Sequence, residues 1–268
     1  MTFADSKSRF SSRVADYVRY RPHYPTALIE LLRVQCRLSP EHVIADIGSG
    51  TGILSELFLK NGNAVFGVEP NQEMRTAGEE CLVGYPRFTS VNASAEATTL
   101  TNSSVDFVTA GQAFHWFDPV AAYREFSRIL RQDGWIAILW NDRNTVSSDF
   151  AKAYEHLLIH YGTDYHRVKD SYPRPENIQS FFRHNNFLTR VIPNELVFDL
   201  DGLKGRMRSS SYLPQQDHET FAPMMAALDK LFAEHQHNGR IAMEYSTVAY
   251  LGQINPDRTS ITLGNVPS

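Results

Sequence analysis

Apolar residues fall in two kinds of run along this chain. Short stretches come first: Val43–Ile47, a largely apolar run closed by Gly48, then Ala64–Val68, Phe88–Val91, Val105–Ala110 and Trp135–Trp140. Runs of four to six apolar residues bounded by glycine or polar turns predict buried strands. Between them the spacing changes to three and four. Ala27 to Leu38 carries Leu28, Leu31, Leu32 and Val34 on one stripe. Ile53–Leu59 and Asn71–Leu82 read as helices, with Asn71 placed to cap the second. Val120–Leu130 offers Ala121, Tyr123, Phe126, Ile129 and Leu130 as its buried side, and Asp133–Gly134 is read as a turn. Strand and helix in alternation predict an α/β fold with a parallel sheet and right-handed crossovers.

The rhythm loosens after Asn141. Phe150–Tyr161 and Glu176–Asn186 read as helices around the proline-rich SYPRPE. Leu188–Asp199 reads as a strand interrupted by Pro193, Thr220–His237 as a helix and Arg240–Ile254 as a closing strand. No repeat or low-complexity tract is present. The expected architecture is a doubly wound, mostly parallel sheet of seven strands, the last two forming an antiparallel edge.

Composition narrows the class without naming chemistry. The chain has 268 residues, 42% hydrophobic and 21% charged, which excludes a disordered chain. No apolar run approaches the roughly 18–20 residues that a membrane helix needs. The opening residues lack the apolar stretch of a secretory leader. Two cysteines, Cys36 and Cys81, make no disulfide framework; both are expected in buried helical positions, and a cytoplasmic location is expected. A net charge of −4 counts against a nucleic-acid partner. His235 and His237 lie two apart without ligand-spaced partners, so no metal is expected.

Chemistry enters at VIADIGSGTGILSE. A strand ends at Ile47, Gly48, Gly50 and Gly52 follow, and a helix opens. Glycines there let a ligand reach the backbone, and the helix start supplies free N–H groups. The spacing G-x-G-x-G departs by one residue from the dinucleotide fingerprint G-x-G-x-x-G. Asp46, two residues before the first glycine, suits a cationic amine-bearing ligand such as S-adenosylmethionine. Glu69 ends the second strand about 20 residues on, the usual place for an acid that grips ribose hydroxyls. A nicotinamide-dependent oxidoreductase and a non-catalytic cofactor-binding protein stay open on these residues alone.

DIGSGTG, VEPNQEM, SAEATTL with SSVDFV, and ILRQDGWIAIL, in that order, resemble the signatures of a class I S-adenosylmethionine-dependent methyltransferase. YRPHYP and AGQAFHWFD narrow the resemblance to the methyltransferase-domain family that includes trans-aconitate methyltransferases. The resemblance implies a Rossmann-like domain over residues 25–268. An N-terminal arm over 1–24 would act as a lid, and residues 200–238 would form an insertion covering the substrate.

It also implies roles. Asp46, Gly48, Ser49 and Gly50 would border the methionine part of the cofactor. Glu69 would hold the ribose, with Pro70 and Asn71 along the adenosine. Ala95 and Glu96 would meet the adenine edge, where Ser94 replaces an aspartate common among relatives. Gln112 and Ala113 would lie beneath the sulfonium. In the arm, Arg21 would meet the cofactor carboxylate and Tyr20 would close over it.

Topology places His115, Trp116 and Phe117 near the methyl group, His115 as candidate general base and Trp116 as substrate wall. Arg206 and Arg208, with Ser210 and Tyr212 nearby, would bind an acidic substrate. The expected reaction is methyl transfer to a small-molecule acceptor, a carboxylate being one candidate. No D-P-P-Y cluster for base amines occurs.

Overall fold

The computed structural model describes residues 14–170, 175–183 and 187–254. Expectations resting on residues 1–13 of the arm, on most of SYPRPE, on residues 184–186 and on the stretch after 254 lie outside the described residues.

Seven strands form one sheet in the order β3-β2-β1-β4-β5-β7-β6. They are β1 (Val43–Ile47), β2 (Ala64–Val68), β3 (Phe88–Val91), β4 (Val105–Gly111), β5 (Leu130–Arg143), β6 (Phe187–Phe198) and β7 (Ile241–Gln253). The first five pair in parallel, so their carboxyl ends share one edge of the sheet. β7 enters antiparallel between β5 and β6. The antiparallel strand is therefore internal, and β6 is the edge.

Side chains alternate across the strands, as a period of two requires. Ile136 and Ile138 face one core with Phe126 and Phe182, whereas Ala137 and Leu139 face the other with Leu28, Leu32 and Phe58. Helices α2 (Ala27–Cys36) and α3 (Ile53–Lys60) cover the second face. Helices α5 (Pro119–Ile129) and α8 (Pro175–Phe181) cover the first. Each fully buried Leu, Ile or Phe contributes about 1.5–3 kcal/mol, so these two cores hold the sheet without help from a metal or disulfide. α5 begins where the sequence dictates: Asp118 accepts hydrogen bonds from the N–H groups of Val120 and Ala121, and Pro119 occupies the first turn. Asn71 caps α4 (Gln72–Cys81) by accepting from Met74 N–H.

A third core lies beyond the sheet. It joins α6 (Asp149–Tyr161), α7 (Tyr165–Asp170), α9 (Leu200–Arg208) and α10 (Phe221–His235) around Leu158, Leu203, Met207, Met224 and Leu228, with Tyr245 of β7. These helices make a cap at the end of the sheet where β5 finishes. α1 (Val14–Tyr20) precedes the first sheet helix and packs on α9.

Several expectations are corrected. β5 starts at Leu130, five residues earlier than expected, because Asp133 and Gly134 lie within it, with Asp133 at φ +62°. β6 runs unbroken through Pro193, which pairs with Ser246; an edge strand tolerates proline because half its N–H groups face away from the ladder. α8 ends at Phe181, short of Asn186. Val34 is 65% exposed and Cys81 is exposed, because the buried stripe of α2 is Leu28, Leu32 and Cys36, and Cys81 sits at the solvent end of α4. In α5 the buried alanine is Ala122 rather than Ala121. α1 and α9 were not anticipated as helices.

Candidate functional site

The carboxyl ends of β1, β2 and β4 open into two joined clefts. The larger, about 680 Å³, is bounded by Gly48, Gly50, Glu69, Pro70, Asn71, Ala95, Gln112, Ala113 and Trp116, with Tyr17, Met74 and Phe117. The second, about 470 Å³, shares Tyr17, Gly48, Gly50, Gly111 and Gln112 and adds Arg21, Tyr24, Asp46 and Ser49. Volumes of this size suit small molecules.

The glycine loop is fixed by backbone bonds. The N–H groups of Gly48 and Ser49 both donate to the Val68 carbonyl, at 2.8 and 3.2 Å. Gly48 has φ +69°, and a Cβ there would stand 2.5 Å from the Cβ of Ala113. The floor of the cleft thus exists only because no side chain fills it. Glu69 ties the loop to the next helix: one carboxylate oxygen accepts from Gly50 N–H at 3.0 Å and the other from Asn71 N–H at 2.8 Å.

Asp46 is buried. It accepts from Ser55 Oγ at 2.6 Å and Thr109 Oγ1 at 3.2 Å. Burial pushes its carboxyl up to about 6, against those two hydrogen bonds, and the neighbouring Glu69 adds to the rise. A buried acid held near its ionisation point is poised to meet a cation.

Gln112 closes the far wall in the left-handed region, φ +57°. Its N–H donates to the Leu139 carbonyl and its Nε2 to the Asn141 carbonyl, each at 2.9 Å. Two bonds hold a conformation that costs a non-glycine residue about 1–2 kcal/mol. Asn141 is itself buried. It accepts from Thr247 and reaches the carbonyls of Pro22 and His23, which anchors the chain after α1 over the sheet end.

The expected residues divide. Asp46, Gly48, Ser49, Gly50, Glu69, Pro70, Asn71, Ala95, Gln112, Ala113, Trp116 and Arg21 are brought together. Glu96 stands beside Ala95 but outside the lining, its carboxylate accepting from Asp118 N–H at 3.0 Å. Tyr20 lies on α9 instead, its ring so close to Gly205 that a Cβ there would approach to 2.1 Å. Tyr17, one helical turn earlier, takes the cleft wall, and the guanidinium of Arg21 sits 4.7 Å over its ring.

His115 faces a neighbouring cavity with Phe114, Tyr123 and Phe181. Burial holds its imidazole down at about 4, and Nδ1 is buried without a partner among the described residues. An imidazole so placed is neutral near pH 7, and it lines this neighbouring cavity rather than the two clefts. Arg208 is bonded through two nitrogens to Asp16, which joins α1 to α9. Arg206 and Tyr212 are buried under the cap. Among the described residues no group of three His, Cys, Asp or Glu side chains is arranged to hold a metal, and no helix is long and apolar enough to cross a membrane.

Comparison with known proteins agrees with this geometry. Residues 45–138 match the model of a methyltransferase-domain family. This chain is a methyltransferase. The methyltransferase is 29% identical over 248 residues to an uncharacterised methyltransferase of Mycobacterium tuberculosis, covering 91% of this chain and 95% of that one. A probable S-adenosylmethionine-dependent methyltransferase of Saccharomyces cerevisiae is 28% identical over 153 residues, 55% of this chain and 50% of the yeast protein. The fold matches that of a candidate type II methyltransferase from Anaeromyxobacter dehalogenans, with TM-score 0.63 and 21% identity over 87% of this chain and 98% of that one. S-adenosylmethionine is the cofactor of this methyltransferase. The residues present fit it, with an open glycine floor, a buried acid and an acid at the strand end. The narrower likeness to trans-aconitate methyltransferases rests on the sequence motifs alone.

Proposed function

We propose that this methyltransferase acts on a small acidic molecule, with the acceptor entering beneath the cap. The observation that carries this reading is Arg206, a buried cation beside the clefts with no acidic partner among the described residues. Surface cations are common, but a guanidinium this deep calls for an anion, since an unpaired buried charge is costly.

Within the clefts, Glu69 would accept from the ribose hydroxyls, Pro70 and Asn71 would flank the adenosine, and Ala95 would border the adenine. Asp46 would meet the cofactor's ammonium, and Arg21 would meet its carboxylate. Gln112 and Ala113 would lie beneath the sulfonium. Bound there, S-adenosylmethionine would supply a methyl group on a sulfonium. The chain's own part is alignment and exclusion of water: Tyr17 and Trp116 wall the cleft, and Asn141 holds the arm across its mouth. Positioning of this kind supplies about 7–11 kcal/mol of barrier lowering. A carboxylate acceptor is already ionised and needs no base, which agrees with His115 standing in the next cavity.

The cap favours a small acceptor over a nucleic acid, and two free cysteines suit a reducing cytoplasm. The domain division follows the same reading: an arm over 1–24, and residues 200–238 as the covering insertion.

Calorimetric titration with S-adenosylmethionine tests the cofactor half. Glu69→Ala is expected to lose about 1.5–3 kcal/mol, or roughly 10–150-fold in affinity. Unchanged affinity removes the ribose assignment. Production of S-adenosylhomocysteine is then measured across acidic metabolites, phenols and amines. Turnover confined to amines overturns the acidic acceptor.

A further inference from the structure

Three arginines converge beneath the cap, and their surroundings differ. Arg143, at the carboxyl end of β5, is bonded to Glu155 of α6, and its guanidinium lies 5.0 Å over the Tyr154 ring. Glu155 also takes Lys169 Nζ at 2.7 Å and the Tyr165 hydroxyl at 2.6 Å. Asp142 lies within electrostatic reach of both Arg143 and Lys169. On that side two cations meet two acids.

Arg206 has no such balance. It is 7% exposed, and its partners are hydroxyls alone. Nε donates to Tyr245 Oη at 3.3 Å, and Nη1 donates to Ser210 Oγ at 2.9 Å and Ser209 Oγ at 3.5 Å. Tyr245 is the register partner of Arg143, so Arg206 stands at the carboxyl end of β5, on the edge of the sheet that holds the clefts. Arg21 links the two places: it lines the smaller cleft and donates to the Ser209 carbonyl at 2.9 Å.

Unused donors point the same way. Arg21 Nε and Arg143 Nη1 are buried without hydrogen-bond partners among the described residues. Such groups are rare in a finished interior and mark a place for a ligand or an ordered water. Between them lies Tyr212, buried. Burial raises its phenol, but Arg206, Arg21 and Arg143 outweigh that and draw it down. The region is electropositive by one charge once Arg143 is set against Glu155 and Arg21 is assigned to the cofactor.

We infer that Arg206, with Tyr245 and the free Nη1 of Arg143, forms a pocket for one carboxylate, so that the methyl acceptor is a monocarboxylate otherwise uncharged. This rests on the acidic-acceptor reading and deepens it. A guanidinium beside a second guanidinium N–H and a phenol hydroxyl matches the planar, two-oxygen geometry of a carboxylate. A second or third carboxylate on the acceptor would meet the Glu155 and Asp142 side of the cap, or an apolar wall, without a cation to receive it.

The test is a charge series on short carbon chains: butyramide, butyrate and succinate, close in size, with the larger tricarballylate beside them. Each is titrated by calorimetry into the protein with and without saturating S-adenosylhomocysteine. Butyrate is expected to bind more tightly than succinate or tricarballylate, and butyramide not to bind. Arg206→Met is expected to weaken butyrate at least about tenfold, the loss of a charge-assisted hydrogen-bond pair. S-adenosylhomocysteine affinity should stay within about twofold, as for separated sites.

Tighter binding of the di- or triacid overturns the inference, as does butyrate binding that ignores Arg206→Met, or the absence of any carboxylate binding to wild type. Failure of S-adenosylhomocysteine to bind would instead strike the cofactor assignment, and the titrations without it still report on the carboxylate pocket. Should Arg206→Met not fold, Arg206→Lys carries the test. It keeps the charge and loses the fork, so butyrate should weaken while the preference for one charge persists.

Discussion

The half of the molecule around β1, β2 and β4 and the helical cap solve opposite problems. The first holds its cleft open with backbone. Gly48 and Gly50 leave room, carbonyls and N–H groups fix the loop, and Glu69 braces it. The cap holds itself together with buried charge: Arg143, Glu155 and Arg206 lie among Tyr154, Tyr165, Tyr212 and Tyr245, with the half-exposed Lys169 on Glu155. Backbone sites suit a ligand that never changes, because geometry is written into the turn. Charged side chains suit a ligand that can differ between relatives, because they can be exchanged without rebuilding the sheet.

The sharpest way to break that contrast is Glu155→Ala. Glu155 holds three donors and its side chain is 10% exposed. Its removal leaves Arg143 buried and unpaired, which costs about 3–5 kcal/mol, and the melting temperature should fall by roughly 10 °C in a chain of this size. Affinity for S-adenosylmethionine should change by no more than about twofold if the two halves are independent. A collapse of both together would show that the cap and the cofactor cleft are one unit.

A smaller effect is expected from pH. The Asp46 carboxyl lies at about 6 in the free protein, above its ordinary 3.8. The fold therefore favours its neutral form, and that stabilisation is present below about pH 4 and lost as pH rises through about 6. Binding of a cationic amine needs the ionised form, so the sign reverses. Affinity should fall as pH drops below about 6, with a limiting slope near tenfold per unit, about 1.4 kcal/mol. Asp46→Asn should flatten that profile; a slope that survives the substitution assigns the proton elsewhere.

Least of all is expected from Asp16→Ala. The Asp16–Arg208 pair joins α1 to α9, but both side chains are more than a quarter exposed. Solvent screening limits such a pair to at most about 1 kcal/mol. Thermal melting should move by no more than roughly 2–4 °C. A larger drop would mean that the arm is part of the cap's core.

The contrast also explains what the sequence disclosed. β1, β2 and β3 were legible to the residue, because each is a short stretch set off by turns within a strand–helix alternation. The glycine loop, Asp46 and Glu69 were legible because their spacing is local. α9 was not, since LDGLKGRMR carries two glycines and reads as a loop. In the fold Gly205 is needed for the Tyr20 ring, and Gly202 N–H is taken by the capping Asp199. Tyr17 was passed over in favour of Tyr20 because one helical turn decides which tyrosine reaches the cleft, and α1 was not recognised as a helix. Arg143, Glu155 and Tyr245 went unmarked for a different reason. They come from β5, α6 and β7, and only pairing across the sheet makes them neighbours.

The position of β7 has a consequence for synthesis. During translation β5 is complete more than a hundred residues before its antiparallel neighbour exists, and β6 has no other strand to join. Until residues 241–253 emerge, β5 presents an open apolar edge, and the cap helices have no Tyr245 to close upon. The nascent chain can assemble the cofactor half early, but the acceptor half only late. An exposed strand edge of that kind invites mispairing. Chaperone dependence and premature-stop toxicity should therefore concentrate in chains truncated between β6 and β7, where a cofactor cleft is present and the chamber for its partner is not.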